Sequence, residues 1–128
     1  MGSGEPRILY VEDEADIREV AEFALEDEGF EVLFCADGAE ALERVLDFAP
    51  DLILLDVMMP ILDGPSTLLE IRKIPSLAEV PVAFLTAKVQ SCEVNDFLAL
   101  GALEVIAKPF DPMILPDQIR ELLARAKN

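Results

Sequence analysis

The sequence predicts an α/β domain: a five-stranded parallel sheet wound on both faces by five helices. Three observations predict it. Five short apolar runs lack the alternation of a half-exposed strand and fit strands buried on both faces. The stretches between them carry apolar residues at helical spacing. The two kinds of segment alternate along the whole chain, which implies parallel strands joined by right-handed crossovers.

The first run, Arg7 to Val11 (RILYV), ends in Glu12-Asp13-Glu14. Ile17, Val20, Ala21, Ala24 and Leu25 then fall on one face of a helix, and Gly29 is the expected left-handed stop. Glu31 to Cys35 (EVLFC) is the second strand; Ala39, Leu42, Val45 and Leu46 mark a second helix ending before Pro50. Asp51 to Leu55 (DLILL) is the third strand and runs into Asp56. Leu68, Leu69 and Ile71 mark a helix after Gly64-Pro65, with Pro65 suited to a first turn. Val80 to Leu85 (VPVAFL) ends at Thr86, and Val94, Phe97, Leu98 and Leu100 form a helix closed by Gly101. Leu103 to Ala107 (LEVIA) ends at Lys108-Pro109, and Leu115, Ile119, Leu122, Leu123 and Ala126 mark the last helix. If Asp111 caps that helix and Pro112 opens it, Pro116 removes a hydrogen bond and makes its first turn irregular.

A chain of 128 residues fits one domain, expected over 7–127, with residues 1–6 read as a tag or disordered N-terminus. Apolar residues make up 52% of it, but no run reaches the roughly 20 that a membrane span needs. Cys35 and Cys92 lie in apolar segments and read as small core residues, which suits a reducing cytoplasm. Histidine is absent, which excludes histidine triads and histidine metal ligands. A formal charge of −16 opposes direct binding to a nucleic-acid backbone.

Ligands of open parallel sheets bind at the carboxyl ends of the strands, near the switch in strand order. At those ends this sequence places Glu12 and Asp13, Asp56, Thr86 and Lys108, with 43, 30 and 22 residues separating Asp13, Asp56, Thr86 and Lys108 in turn. Strand ends carry polar residues as a rule and helix starts favour Asp or Thr, so no one of these positions is telling by itself. Three carboxylates about 6 Å apart would repel by roughly 2 to 3 kcal/mol per pair at an effective dielectric near 20. Such a cluster persists if a cation sits in it or if carboxyl pKa values rise. Oxygen ligands without histidine favour a hard ion such as Mg²⁺. A metal alone leaves Thr86 and Lys108 unexplained, whereas an aspartyl phosphate needs a cation on one side and donors on the others.

The segments VEDE (Val11 to Glu14), DVMMPILDG (Asp56 to Gly64), TA (Thr86-Ala87) and KPF (Lys108 to Phe110) together resemble the receiver domains of two-component response regulators. The resemblance implies the flavodoxin-like (βα)5 fold with strand order 2-1-3-4-5. It implies Asp56 as the phosphorylated residue, with Thr86 and Lys108 contacting the phosphoryl group. Asp13 would bind Mg²⁺ directly, Glu12 through a water, and Met58 through its backbone carbonyl. Lys108-Pro109 is similar to a pair whose peptide bond is usually cis. The implied partners are a sensor histidine kinase or histidine phosphotransfer protein upstream and a protein partner downstream, with no direct nucleic-acid contact and no membrane insertion. The protein is then no enzyme in the ordinary sense, although it takes part in its own phosphorylation and autodephosphorylation.

Three departures from the pattern matter. Val105 stands where many receivers carry an aromatic switch, and valine is stiff at χ1; Phe110 could relay instead, though core packing is its expected role. Met58 cannot orient an attacking water, and Lys88 could contact or shield the phosphoryl group, so a long-lived phosphoryl state is expected. A flavodoxin-like cofactor binder would need a phosphate loop where Glu12, Asp13, Glu14 and Asp16 stand. A haloacid-dehalogenase-like phosphohydrolase would need an aspartate in place of Met58 and a cap insertion. The short charged tail, Arg125 to Asn128, favours a stand-alone receiver over a piece of a larger regulator or hybrid kinase.

Overall fold

The computed structural model describes residues 5–59, 61–87 and 91–126. Strands β1 (Arg7–Val11), β2 (Glu31–Cys35), β3 (Leu52–Asp56), β4 (Val82–Thr86) and β5 (Glu104–Ala107) alternate with helices α1 (Ala15–Leu25), α2 (Gly38–Phe48), α3 (Gly64–Arg72), α4 (Ser91–Ala99) and α5 (Leu115–Ala126). The strands form one sheet in the order β2-β1-β3-β4-β5, and every pairing is parallel. This is the expected fold and strand order. Among the described residues no helix is long and apolar enough to cross a membrane.

Every residue of β3 and β4 is buried, which is why these runs show no polar alternation. Their side chains divide by parity. Ile53, Leu55, Val82 and Phe84 pack with Ala41, Val45, Leu68 and Ile71, so α2 and α3 cover one face, and Phe97 of α4 packs there too. Leu52, Leu54, Ala83 and Leu85 pack with Ala21, Leu25, Leu115 and Ile119, so α1 and α5 cover the other. Cys35 is buried in the first layer, as expected; the Cys92 side chain lies outside the described residues.

Several boundaries differ from expectation, each for a local reason. β3 and β4 run one residue further than their apolar runs, because Asp56 pairs in register with Leu85 and Thr86 with Ala107. Val80 belongs instead to the turn after a 3-10 helix at Pro75–Leu77, its N–H donating to the Leu77 carbonyl. α1 ends at Leu25, and the left-handed residues Asp27 (φ 60°) and Gly29 (φ 88°) lie in the turn that follows rather than at its cap. α5 begins at Leu115, not Pro112, since Asp111 caps a preceding turn by accepting from Met113 N at 2.9 Å. Pro116 therefore sits in a first turn, where its missing N–H removes no helical bond. Leu46, Leu69, Leu98 and Leu100, expected on buried helix faces, are exposed or nearly half so.

Gly64 packs closely against the backbone that follows β3. Its N–H donates to the Val57 carbonyl at 3.0 Å. A Cβ there would lie 2.5 Å from the Asp56 carbonyl oxygen and 2.9 Å from Val57 Cα, both rigid backbone. We expect Gly64→Ala to lower the unfolding free energy by about 2 kcal/mol, read as a lower urea midpoint at unchanged slope.

Candidate functional site

The parity that builds the core also aims the site. Asp56 follows Leu52 and Leu54 onto the α1/α5 side of the sheet, and Glu12 follows Ile8 and Tyr10. Lys108 has the parity of Ile106, so its ammonium reaches the same side from β5. Thr86 has the parity of Phe84 and belongs to the opposite side. All four lie at the carboxyl ends of their strands.

Glu12 and Asp56 are both buried, at 0% and 2% exposure. Lys108 Nζ lies between them, 3.1 Å from Glu12 Oε1 and 3.3 Å from Asp56 Oδ2. Asp13 is half-buried and stands nearer to solvent. Glu12, Asp13 and Asp56 each offer a carboxylate oxygen within 4.8 Å of the others. Three converging oxygens with no nitrogen or sulfur donor fit a hard divalent cation. Glu12 is further held by the Glu14 N–H at 3.2 Å, and Arg18 donates to its backbone carbonyl at 2.7 Å. The Met58 N–H reaches Asp56 Oδ1 only at 3.4 Å, and the Met58 side chain is 65% exposed.

This crowding shifts the titration of the group at its centre. Burial first, then the neighbouring Glu12 carboxylate, pushes the Asp56 carboxyl up to about 7 against the opposing pull of Lys108. Burial disfavours the Lys108 ammonium, but its bonds and attraction to Glu12 and Asp56 outweigh that and hold its pKa above the ordinary lysine value. Of the two alternatives left open by the sequence, the raised carboxyl pKa follows from the burial of Asp56 beside Glu12, and the three converging oxygens could also receive an ion.

Thr86 is 2% exposed and Ala87 beyond it is exposed, leaving the rim open at that point. The Lys108 N–H donates to the Thr86 carbonyl at 2.9 Å, and the Lys108-Pro109 peptide is cis, as expected. Val105 is half-buried and pairs in register with Phe84, whose ring lies 5.2 Å from that of Phe97. Phe110 packs against the α1/α5 layer, its expected role. The reading of Lys88 falls outside the described residues.

Two neighbours of the site had not been singled out. Arg18 fixes the Glu12 backbone from the first turns of α1. Tyr10 lies one layer below Glu12 on the same side of β1, and its buried hydroxyl has no hydrogen-bond partner among the described residues. Burial, then the charges of Glu12 and Asp56, raises its pKa. The signal for Tyr10 was its two-residue offset from Glu12. Ile61, in the loop after Asp56, is 94% exposed at φ 70°, a left-handed conformation that β-branched residues rarely adopt.

Residues 8–120 match the family model described as the response regulator receiver domain. The chain is 40% identical over 126 residues to "Probable transcriptional regulator ycf27" of Porphyra purpurea, covering 98% of this chain and 51% of that protein. It is 42% identical over 118 residues to the transcriptional regulatory protein CseB of Streptomyces coelicolor, covering 92% and 49%. The chain spans about half the length of these curated relatives. Among solved structures, the chemotaxis protein CheY4 of Vibrio cholerae superposes with a TM-score of 0.87 at 29% identity, over 93% of this chain and 99% of that one. The signal receiver domain of a histidine kinase from Syntrophus aciditrophicus superposes at 0.82 with 32% identity, over 96% and 93%.

Proposed function

The chain belongs to the response regulator receiver domain family of two-component signalling, and from that premise we propose that Asp56 is its phosphoryl acceptor, within a receiver domain spanning 7–127. The observation that carries this reading is the meeting of Glu12, Asp13 and Asp56 within 4.8 Å, with Lys108 bound to two of them. Neither the phosphohydrolase nor the flavodoxin-like reading finds support among the relatives.

The chemistry follows from the positions. An oxygen of the Asp56 carboxylate attacks phosphorus, and the donor's P–N bond breaks as the O–P bond forms. The donor imidazole leaves with a proton, and Asp56 becomes an acyl phosphate. Asp13, Glu12 through water, Asp56 and the Met58 carbonyl would hold Mg²⁺, which when bound supplies positive charge to the transferring oxygens. Lys108 is placed to follow the new negative charge, exchanging a carboxylate of Asp56 for a phosphoryl oxygen. Thr86 supplies a hydroxyl donor from the opposite side. The donor is a sensor histidine kinase or histidine phosphotransfer protein, and a protein partner reads the result.

The test is intact-protein mass spectrometry after acetyl phosphate and Mg²⁺. We expect one phosphoryl adduct, not formed when EDTA is present during labelling and absent from Asp56→Asn; equal labelling of that variant would overturn the assignment. Loss of the adduct should be slow, because the apolar Met58 side chain cannot orient a water. Met58→Asn should speed that loss by about tenfold in a phosphate-release time course.

A further inference from the structure

We propose that the free edge of β2 is a docking site for an extended, lysine- or arginine-bearing segment of a partner protein. Among the described residues β2 ends the sheet, with β1 its one strand neighbour. Glu31 N donates to the Pro6 carbonyl at 2.9 Å, and Glu12 N donates to the Cys35 carbonyl at 3.0 Å. In a parallel ladder, alternate residues face the same neighbour, so Glu31, Leu33 and Cys35 turn their backbone groups toward β1. Val32 and Phe34 turn theirs outward. Proteins usually blunt such an edge with lysine, proline or a bulge. Between Glu31 and Cys35 this strand is Val-Leu-Phe, partly exposed throughout, with none of these.

A groove flanks the edge on each face of the sheet. On the α1 side a groove of about 460 Å³ has Phe23, Phe30 and Phe34 in its wall, and Phe23 is 78% exposed. Its rim carries Glu19, Glu22, Glu26 and Asp27. None of these four carboxylates has an ion pair among the described residues, whereas Glu28, Glu31 and Glu40 nearby are all paired to arginine. On the α2 side a groove of about 430 Å³ is lined by Leu33 and Phe48 with Glu43 and Asp47 beside them, and its Arg7 and Arg44 are already paired to Glu31 and Glu40.

A strand added along β2 would bond the outward groups of Val32 and Phe34 and send its side chains alternately into the two grooves. Lysine or arginine suits the α1 side, its stem along the phenylalanines and its charge among the four free carboxylates. On the α2 side Leu33 and Phe48 suit an apolar residue, and Glu43 and Asp47 accept a basic one. The net charge of −16 opposes a second copy of this chain as the occupant and favours a basic one. The edge lies on the flank of the sheet opposite β4 and β5, so this docking is separate from phosphorylation of Asp56 and stands or falls without it.

The probe is a dye-labelled octapeptide of alternating lysine and valine, followed by fluorescence anisotropy against the full chain. Val32→Pro removes an outward N–H that the β1 ladder does not use, so the fold should keep its circular dichroism. Glu22→Lys/Glu26→Lys reverses charge on an exposed rim. We expect each variant to weaken binding by about tenfold or more, and Asp96→Lys/Glu121→Lys, with the same net charge elsewhere, to bind as the parent does. Equal loss in that control, unchanged binding by Glu22→Lys/Glu26→Lys, or equal binding of a glutamate-valine peptide would overturn the proposal. So would a dimer in sedimentation that Val32→Pro dissociates, which would make a second copy the occupant.

Discussion

Asp56→Asn should make the metal-free protein more stable at pH 8 while abolishing its ability to take a phosphoryl group. The Asp56 carboxyl is 2% exposed and sits beside the fully buried Glu12, and its pKa is pushed from 3.8 up to about 7. A carboxyl whose folded pKa lies above its unfolded value binds its proton more tightly when folded. Stability therefore falls as pH rises from about 4 through about 7, and the full cost of the ionised group is present above that window. The cost is on the order of 4 kcal/mol at most, and the neutral amide must replace the hydrogen bonds it inherits, so we expect a gain of about 2 kcal/mol. Urea unfolding in EDTA at pH 8 reads it. At pH 4, where the wild-type carboxyl is protonated, the two proteins should differ little. A gain that does not shrink toward low pH would show that its source is packing rather than charge.

Lys108→Ala should act in the opposite direction and more strongly. Its ammonium is 3.1 Å from Glu12 and 3.3 Å from Asp56, with side-chain exposures of 12%, 0% and 3% for the three groups. Removing the cation leaves two buried carboxylates facing each other, which costs about 3 to 5 kcal/mol in comparable buried pairs. The loss should be largest above pH 7 and should shrink in acid, since protonating one carboxylate removes the repulsion. If Lys108 neutralises the transferring oxygens as proposed, phosphoryl labelling should slow by about a hundredfold as well. Destabilisation that does not vary with pH would assign Lys108 to packing alone.

Much of this arrangement was legible in the sequence because it rests on burial and parity. The apolar runs of β3 and β4 could be read because both faces of those strands are covered. The strands themselves end one residue later than the runs, on Asp56 and Thr86, since hydrogen bonding continues where hydrophobicity stops. Polarity alone cannot report that a charged residue is still in the ladder. Glu12, Asp13, Asp56, Thr86 and Lys108 were each legible as polar residues closing a strand. The double pairing of Lys108 was not, because it depends on which side of the sheet each side chain leaves from. Tyr10 and Arg18 were missed for a similar reason: one reads as an ordinary strand residue, the other as an ordinary charge on a helix.

Val105 is the departure with the clearest structural setting. It cannot swing as an aromatic ring would, but it pairs with Phe84, which abuts Phe97 of α4. A rearrangement near Thr86 would therefore meet the buried Phe84 and the partly buried Phe97 rather than a ring free to move from solvent to core.

The alternation of side chains along β3 and β4 has a wider consequence. Asp56 leaves the sheet on the side covered by α1 and α5, while Thr86 has the parity of the layer holding α2, α3 and α4. Through most of its length the sheet is a partition, and among the described residues the two oily layers share no side chain. Only at its carboxyl edge, where the strands run out, can one small substituent touch residues that belong to both. A group attached to Asp56 and within reach of the Thr86 hydroxyl would work as a rivet through that partition, tying a residue of one layer to a residue of the other.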